Sequence, residues 1–205
     1  MEVTMSDGAV HCMLDLETWG QHTGCAIRSI GAVIFDLEED GVPDKPENRF
    51  YANIRDRSCW HAGLHVNRDT AAWWGCQSKE AQDVFAQNPQ ELGDVVRAFN
   101  SWFHDNRVKY VWAQGANFDP PLWEAASRAI GSEPPWKFYL VRDTRTVYYL
   151  ADLDPRSITR AGVFHNALDD AVHQVHCVQA AYRIIKTRSG DAQDALISQG
   201  QKTNE

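Results

Sequence analysis

Three strand-like stretches follow one another before any helical periodicity begins, and that order restricts the chain to few architectures. Residues 9–16 read as the first strand, with Ala9, Val10, Leu14 and Leu16 giving it apolar character. The run from Ser29 to Asp36 reads as the second, and Arg49 to Ile54 as the third. A polar, Gly-bearing loop over residues 18–28 joins the first pair. Gly41, Pro43 and Pro46 break the charged turn from Glu38 to Glu47. Short connections between consecutive strands predict an antiparallel meander.

Helices then alternate with strands. Asp69-Thr70 is expected to cap a segment containing Ala71, Ala72, Trp73 and Trp74, and Ser78 to start another. Leu92, Val95, Val96, Phe99, Trp102 and Phe103 share one helical face. Val108 to Ala113 reads as a strand, and Asp119-Pro120 opens a helix that Gly131 stops. Phe138 to Val141 reads as a short strand, Asp143 to Leu150 as a helix, and residues 152–164 as a loop. The last helix is expected from Ala167 to Lys186, with Leu168, Ala171, Val172, Val175, Val178, Tyr182 and Ile185 on its buried face. Strands first, then helices alternating with strands, predict an α/β layer fold with a mixed sheet. The 205 residues suit one domain, placed at residues 1–188, with a polar and flexible tail at 189–205.

Asp15 and Glu17 lie two apart in the first strand, so both side chains point to one side. Adjacent carboxylates repel each other and cost desolvation, and a divalent cation offsets both. Hard oxygen ligands suit Mg²⁺ or Mn²⁺ rather than Zn²⁺. Alone, Asp-x-Glu is a weak signal and reads more readily as two carboxylates at a solvated strand end. Partners stand elsewhere in the chain. Asp119 falls between a strand and a helix, and His165 and Asp170 flank the start of the last helix. Asp15, Glu17, Asp119 and Asp170 are enough to hold two ions, one activating a water and the other stabilising a leaving oxygen. A histidine beside that water, His165, can take its proton.

Three motifs carry a family resemblance: Asp15-Leu16-Glu17-Thr18, Asn117-Phe118-Asp119 and His165-x-Ala167-x-x-Asp170. Together, over about residues 9–187, they resemble the DEDD-type 3′–5′ exonucleases of the His-containing (DEDDh) subgroup. Trp73-Trp74 with Gln77-Ser78 is similar to the phage and bacterial branch that includes exodeoxyribonuclease VIII-like proteins and related exoribonucleases. The resemblance implies an RNase H-like fold with a central mixed sheet flanked by helices. It implies two Mg²⁺ or Mn²⁺ ions and stepwise release of nucleoside 5′-monophosphates from a 3′ end. Asp15, Glu17, Asp119 and Asp170 carry over as metal ligands and His165 as general base, while Asp169, at the wrong spacing, does not. Thr18, Trp19 and Asn117 carry over as substrate-binding positions, with Trp19 expected to stack on the terminal base. Single strands or 3′ overhangs of DNA or RNA are the expected partners, because a narrow metal site admits one strand.

Composition bears on the setting. A net charge of −8 excludes a general polyanion-binding surface, although an enzyme whose carboxylates hold metals can still act on nucleic acid. Five cysteines without a CxxC pair suit reduced thiols, hence a cytoplasm, or the host cytoplasm for a phage protein. The absence of an apolar run of spanning length, or of a signal-peptide core, argues against a membrane partner. Eight tryptophans would permit a homodimer interface.

Each residue has a plainer reading. Asp119 before Pro120 suits a helix cap, Asp170 the positive end of a helix, and His165 an ordinary surface site. Cys59-x-His61-x-x-x-His65 has zinc-like spacing without a fourth ligand. His173, His176 and Cys177 read as partly solvated flanks of the last helix, and Trp73-Trp74 as core packing. Arg28, Arg142 and Arg145 are candidates for guiding a strand but are scattered in sequence. Competing functions are a catalytically idle nucleic-acid- or partner-binding module, an RNase H-like endonuclease, and another metal-dependent phosphohydrolase built on His104-Asp105.

Overall fold

The computed structural model describes residues 8–202, with side chains described as far as residue 190. β1 (Val10–Thr18) and β2 (Ile27–Phe35) pair antiparallel, and β2 pairs antiparallel with β3 (Arg49–Asn53), forming the expected meander. Three short helices follow: α1 (Asp56–His61), α2 (Arg68–Gly75) and α3 (Lys79–Asp83). Next come α4 (Leu92–Asp105), β4 (Val108–Ala113), α5 (Asp119–Ala129), β5 (Val141–Asp143), α6 (Thr144–Ala151) and α7 (Ala167–Lys202). β4 lies parallel to β1 and β5 parallel to β4, which gives a mixed five-stranded sheet in the order β3-β2-β1-β4-β5. This is the α/β architecture that the resemblance implies, a central mixed sheet flanked by helices.

The sheet divides the core in two, and the period-2 alternation of β1 decides which residues face which half. Cys12, Leu14 and Leu16 are buried with Val95, Val96 and Phe99 of α4 and Leu122 and Trp123 of α5. Met13 is buried on the opposite side with Tyr148 of α6 and Ala171, Val175 and Val178 of α7. Each such large apolar side chain contributes about 1.5–3 kcal/mol on burial. Asp15 and Glu17 continue the odd-numbered series of Met13, so they face the side covered by α7.

Several local expectations change. α2 is capped by Asn67 rather than Asp69-Thr70: the Asn67 Oδ1 accepts from the backbone N–H of Asp69 (2.9 Å) and Thr70 (3.0 Å). α1 went unread because Arg55, at its cap position, makes no capping bond with its side chain. Phe138–Leu140 is a 3-10 turn, and strand pairing begins only at Val141. α7 continues beyond Lys186 to Lys202, so the tail expected at 189–205 begins inside a helix, and its last three residues lie outside those described. Cys177 is fully buried in the second core rather than a solvated flank.

Candidate active site

The site begins where β1 outruns its neighbour. The β1–β4 ladder runs from Val10 to Met13 on β1, leaving the Leu16 N–H beyond it without a strand partner on that side. The Asp119 Oδ1 accepts from that N–H at 3.2 Å. Asp119 is therefore not the cap of α5; it sits in the first turn, behind Phe118 at the cap position, and its carboxylate is fixed to β1. The carboxyl ends of two parallel strands, β1 and β4, thus frame a crevice, the usual place for a ligand in an open α/β sheet.

The other acid arrives on α7. Asp15 pairs across the sheet with Gly31, and a Cβ on Gly31 would stand 2.2–2.4 Å from backbone atoms of Ala167 and Leu168. Only glycine lets the first turn of α7 lie this close to β2. Asn166 starts that turn, its Oδ1 accepting from the N–H of Leu168 (3.1 Å) and Asp169 (3.2 Å). Asp170 follows, and one turn later the Gln174 Nε2 donates to the Asp15 Oδ1 at 2.6 Å. His165 precedes the helix at φ +62°, a left-handed conformation that histidine tolerates better than most residues. Its ring meets Trp73 edge-on at 5.0 Å and Trp74 at 5.9 Å.

Asp15, Glu17, Asp119, Asp170 and His165 consequently line one cavity of about 430 Å³. Glu17, His165 and Asp170 each place a ligand atom within 4.8 Å of the other two. Burial, then the charges of Asp119, Glu17 and Asp170, push the Asp15 carboxyl well above its ordinary range. Burial and the neighbouring Asp170 raise Glu17 to about 9, and burial raises Asp119 to about 7. Burial and mutual repulsion therefore favour the protonated forms of Asp15 and Glu17 near neutrality. Oxygen donors plus one imidazole fit a hard divalent ion.

A second cavity, of about 540 Å³, shares Leu16, Glu17 and Phe118 with the first. Thr18, Asn67, Asp69 and Trp73 are among its other walls. The Trp74 Nε1 donates to the Thr18 carbonyl at 2.9 Å and so docks α2 against the end of β1. The tryptophan pair is split: Trp74 is core, whereas Trp73 is 44% exposed beside His165. Asn117 is exposed and lines a smaller adjoining cleft with Gln21 and His22.

Trp19, the expected stacking position, is engaged by its neighbours. Its Nε1 donates to the Asp56 Oδ1 at 2.7 Å, and the Arg28 guanidinium lies 4.0 Å over its ring, so it lines none of these cavities. Arg28 is boxed between Trp19, Trp74 and Phe85, and Arg142 lies over Tyr110. Of the three scattered arginines only Arg145 reaches the acidic cavity, where Arg160 joins it. The zinc-like spacing does not form a site. The Cys59 thiol meets the Ile27 carbonyl at 3.6 Å, while the His65 Nε2 lies 3.2 Å from the Cys25 Sγ. Among the described residues the ligand cluster is Glu17, His165 and Asp170. Gln174 was within reach of sequence reasoning, standing four residues after Asp170 on the same helix face. Arg160 carried no such signal.

A family model of the 3′-5′ exoribonuclease Rv2179c-like domain matches residues 10–182. The chain belongs to this family. The matched span of the Rv2179c-like domain contains all five strands and every residue of the acidic cavity. The protein is therefore a nuclease of the 3′–5′ exonuclease kind. A comparison with curated proteins gave no significant match. Among the described residues, no helix is long and apolar enough to cross a membrane.

Proposed function

We propose that this Rv2179c-like domain is a DEDDh exonuclease that removes nucleoside 5′-monophosphates stepwise from the 3′ end of single-stranded RNA. The observation that carries this reading is the meeting of four acids and His165, drawn from β1, α5, α7 and the loop before α7, in one cavity that shares Leu16, Glu17 and Phe118 with a second. Asp15, Glu17, Asp119 and Asp170 would hold two ions, Mg²⁺ or Mn²⁺. When bound, the ions lower the pKa of the attacking water and stabilise the leaving 3′-oxygen. His165 accepts the proton of that water, its ring held by the edges of Trp73 and Trp74. Leu16 and Gln174 keep Asp119 and Asp15 in place as charge develops.

The terminal nucleoside would enter the second cavity. Thr18, Asn67 and Asp69 offer polar contacts there, and Trp73 and Phe118 offer aromatic walls. Stacking on such walls contributes about 1–3 kcal/mol per base and tolerates any sequence. The family description favours RNA, and the polar wall suits a 2′-hydroxyl, the group that separates the two polymers. Trp73 at this wall also supports the kinship with exodeoxyribonuclease VIII-like proteins and related exoribonucleases. Five free thiols suit a cytoplasmic setting.

The test is a time course on 3′- and 5′-labelled single-stranded RNA and DNA of one sequence, with Mg²⁺, Mn²⁺ or EDTA, beside Asp15→Ala. The expected result is a metal-dependent ladder that shortens from the 3′ end, faster on RNA and absent in the variant. Internal cuts would favour an endonuclease. Intact polymers with metal bound would favour a binding module.

A further inference from the structure

The acidic cavity holds a guanidinium that the chemistry above does not use. Arg160 stands in the loop between the 3-10 turn at Pro155–Ser157 and α7. Its Nη2 is ion-paired with the Asp170 Oδ1 and donates to the Val163 carbonyl at 3.1 Å. The Phe164 ring lies 4.2 Å from the guanidinium carbon. The side chain is only 15% exposed, and its Nε is buried without a hydrogen-bond partner. Arg145 lines the same cavity from α6.

A buried arginine is stable here only because Asp170 balances it. Asp170 is also a ligand in the two-metal reading, and a divalent ion on that carboxylate would take Arg160's partner and repel its charge. Arg160, which lines the cavity, then has a planar fork whose Nη2 is released from Asp170 where, on the reading above, a phosphodiester is received. Guanidinium and phosphate match in charge and bidentate geometry. The loop itself is pinned, since the Val163 N–H donates to the Asp169 Oδ2 at 2.8 Å. The exchange therefore asks for side-chain rotation rather than loop opening.

We propose that Arg160 is a substrate-contacting residue that balances Asp170 in the metal-free site and passes to a non-bridging oxygen of the substrate phosphodiester when the ions are held. This rests on the two-metal reading above. The test uses Arg160→Gln, with Mn²⁺ binding measured by calorimetry in the absence of nucleic acid. RNA binding is measured against salt with Mg²⁺ in the His165→Ala background, where turnover is suppressed. The expected variant binds Mn²⁺ several-fold more tightly, because a competing cation has gone. It binds RNA about tenfold more weakly, and its plot of log affinity against log salt is shallower by about 0.7, the value of one single-strand phosphate contact. Arg160→Lys, which keeps the charge, should keep the wild-type salt slope. Unchanged Mn²⁺ affinity or an unchanged salt slope in Arg160→Gln would overturn the proposal. Failure of the wild-type protein to bind Mn²⁺ would overturn the metal reading, and this proposal with it.

Discussion

His165 occupies a left-handed backbone conformation, which costs of order 1–3 kcal/mol and is held by the packing around it. Trp73 and Trp74 supply that packing and fix the ring against the acidic cavity. Replacing His165 by Ala should lower kcat about 10²–10⁴-fold. Single-turnover rates would reveal the loss. Trp73→Ala should raise KM for short RNA while leaving Mn²⁺ affinity intact. Trp19→Ala should leave KM near wild type and lower the melting temperature, because Trp19 packs against Arg28 and Asp56 rather than in the pocket. Steady-state kinetics on both variants would separate the two tryptophans. At this scale the shared face of Asp15 and Glu17 and the close spacing of His165 and Asp170 were legible, because each is set within a few residues of chain. The place of Trp73 on the second cavity was not, because it depends on how a distant helix, α2, docks on the end of β1.

Elements bring the site together through two close approaches. The first is α7 on β2 at Gly31, where a side chain would strike the backbone of Ala167 and Leu168. Gly31→Ala should destabilise the fold by about 1–3 kcal/mol, as overpacking does. It should weaken Mn²⁺ binding as well, because the first turn of α7 carries Asp170 away from Asp15. Urea unfolding and a metal titration on the same sample would check both. The second is α2 on β1, started by Asn67 and closed by the Trp74 bond to Thr18. Asn67→Ala removes the cap, at a cost of about 1 kcal/mol, and should raise KM more than it lowers kcat. The meander, α4 and α7 were readable because long periodic runs dominate local choice. The six-residue α1 was not, since its cap position holds Arg55 and its one buried residue is Cys59.

The molecule as a whole stores electrostatic cost at one end of its sheet. Glu17 rises from 4.5 to about 9 and Asp119 from 3.8 to about 7, chiefly through burial, and Asp15 rises with them. Their folded-state pKa values lie above the unfolded ones, so between about pH 4 and 9 the folded state binds more protons than the unfolded chain. Stability of the metal-free protein should therefore fall as pH rises through that window, and the penalty should be absent below it. On the proposed metal reading bound Mg²⁺ would neutralise these carboxyls, so the gap in melting temperature between Mg²⁺ and EDTA should widen from pH 5 to pH 8.5. A gap that stays constant would mean that the ion does not neutralise these carboxyls. The sequence by itself determined the order of strands and helices, the shared face of Asp15 and Glu17, and the spacing of His165 and Asp170. Those follow from backbone periodicity and act over a few residues. Only the tertiary structure decided that Asp119 is tied to Leu16, that Gln174 steadies Asp15, that Trp73 walls the second cavity and that Arg160 lies on Asp170. Each of these joins residues far apart in the chain, and their meeting is set by how helices pack onto the sheet, which no local pattern encodes.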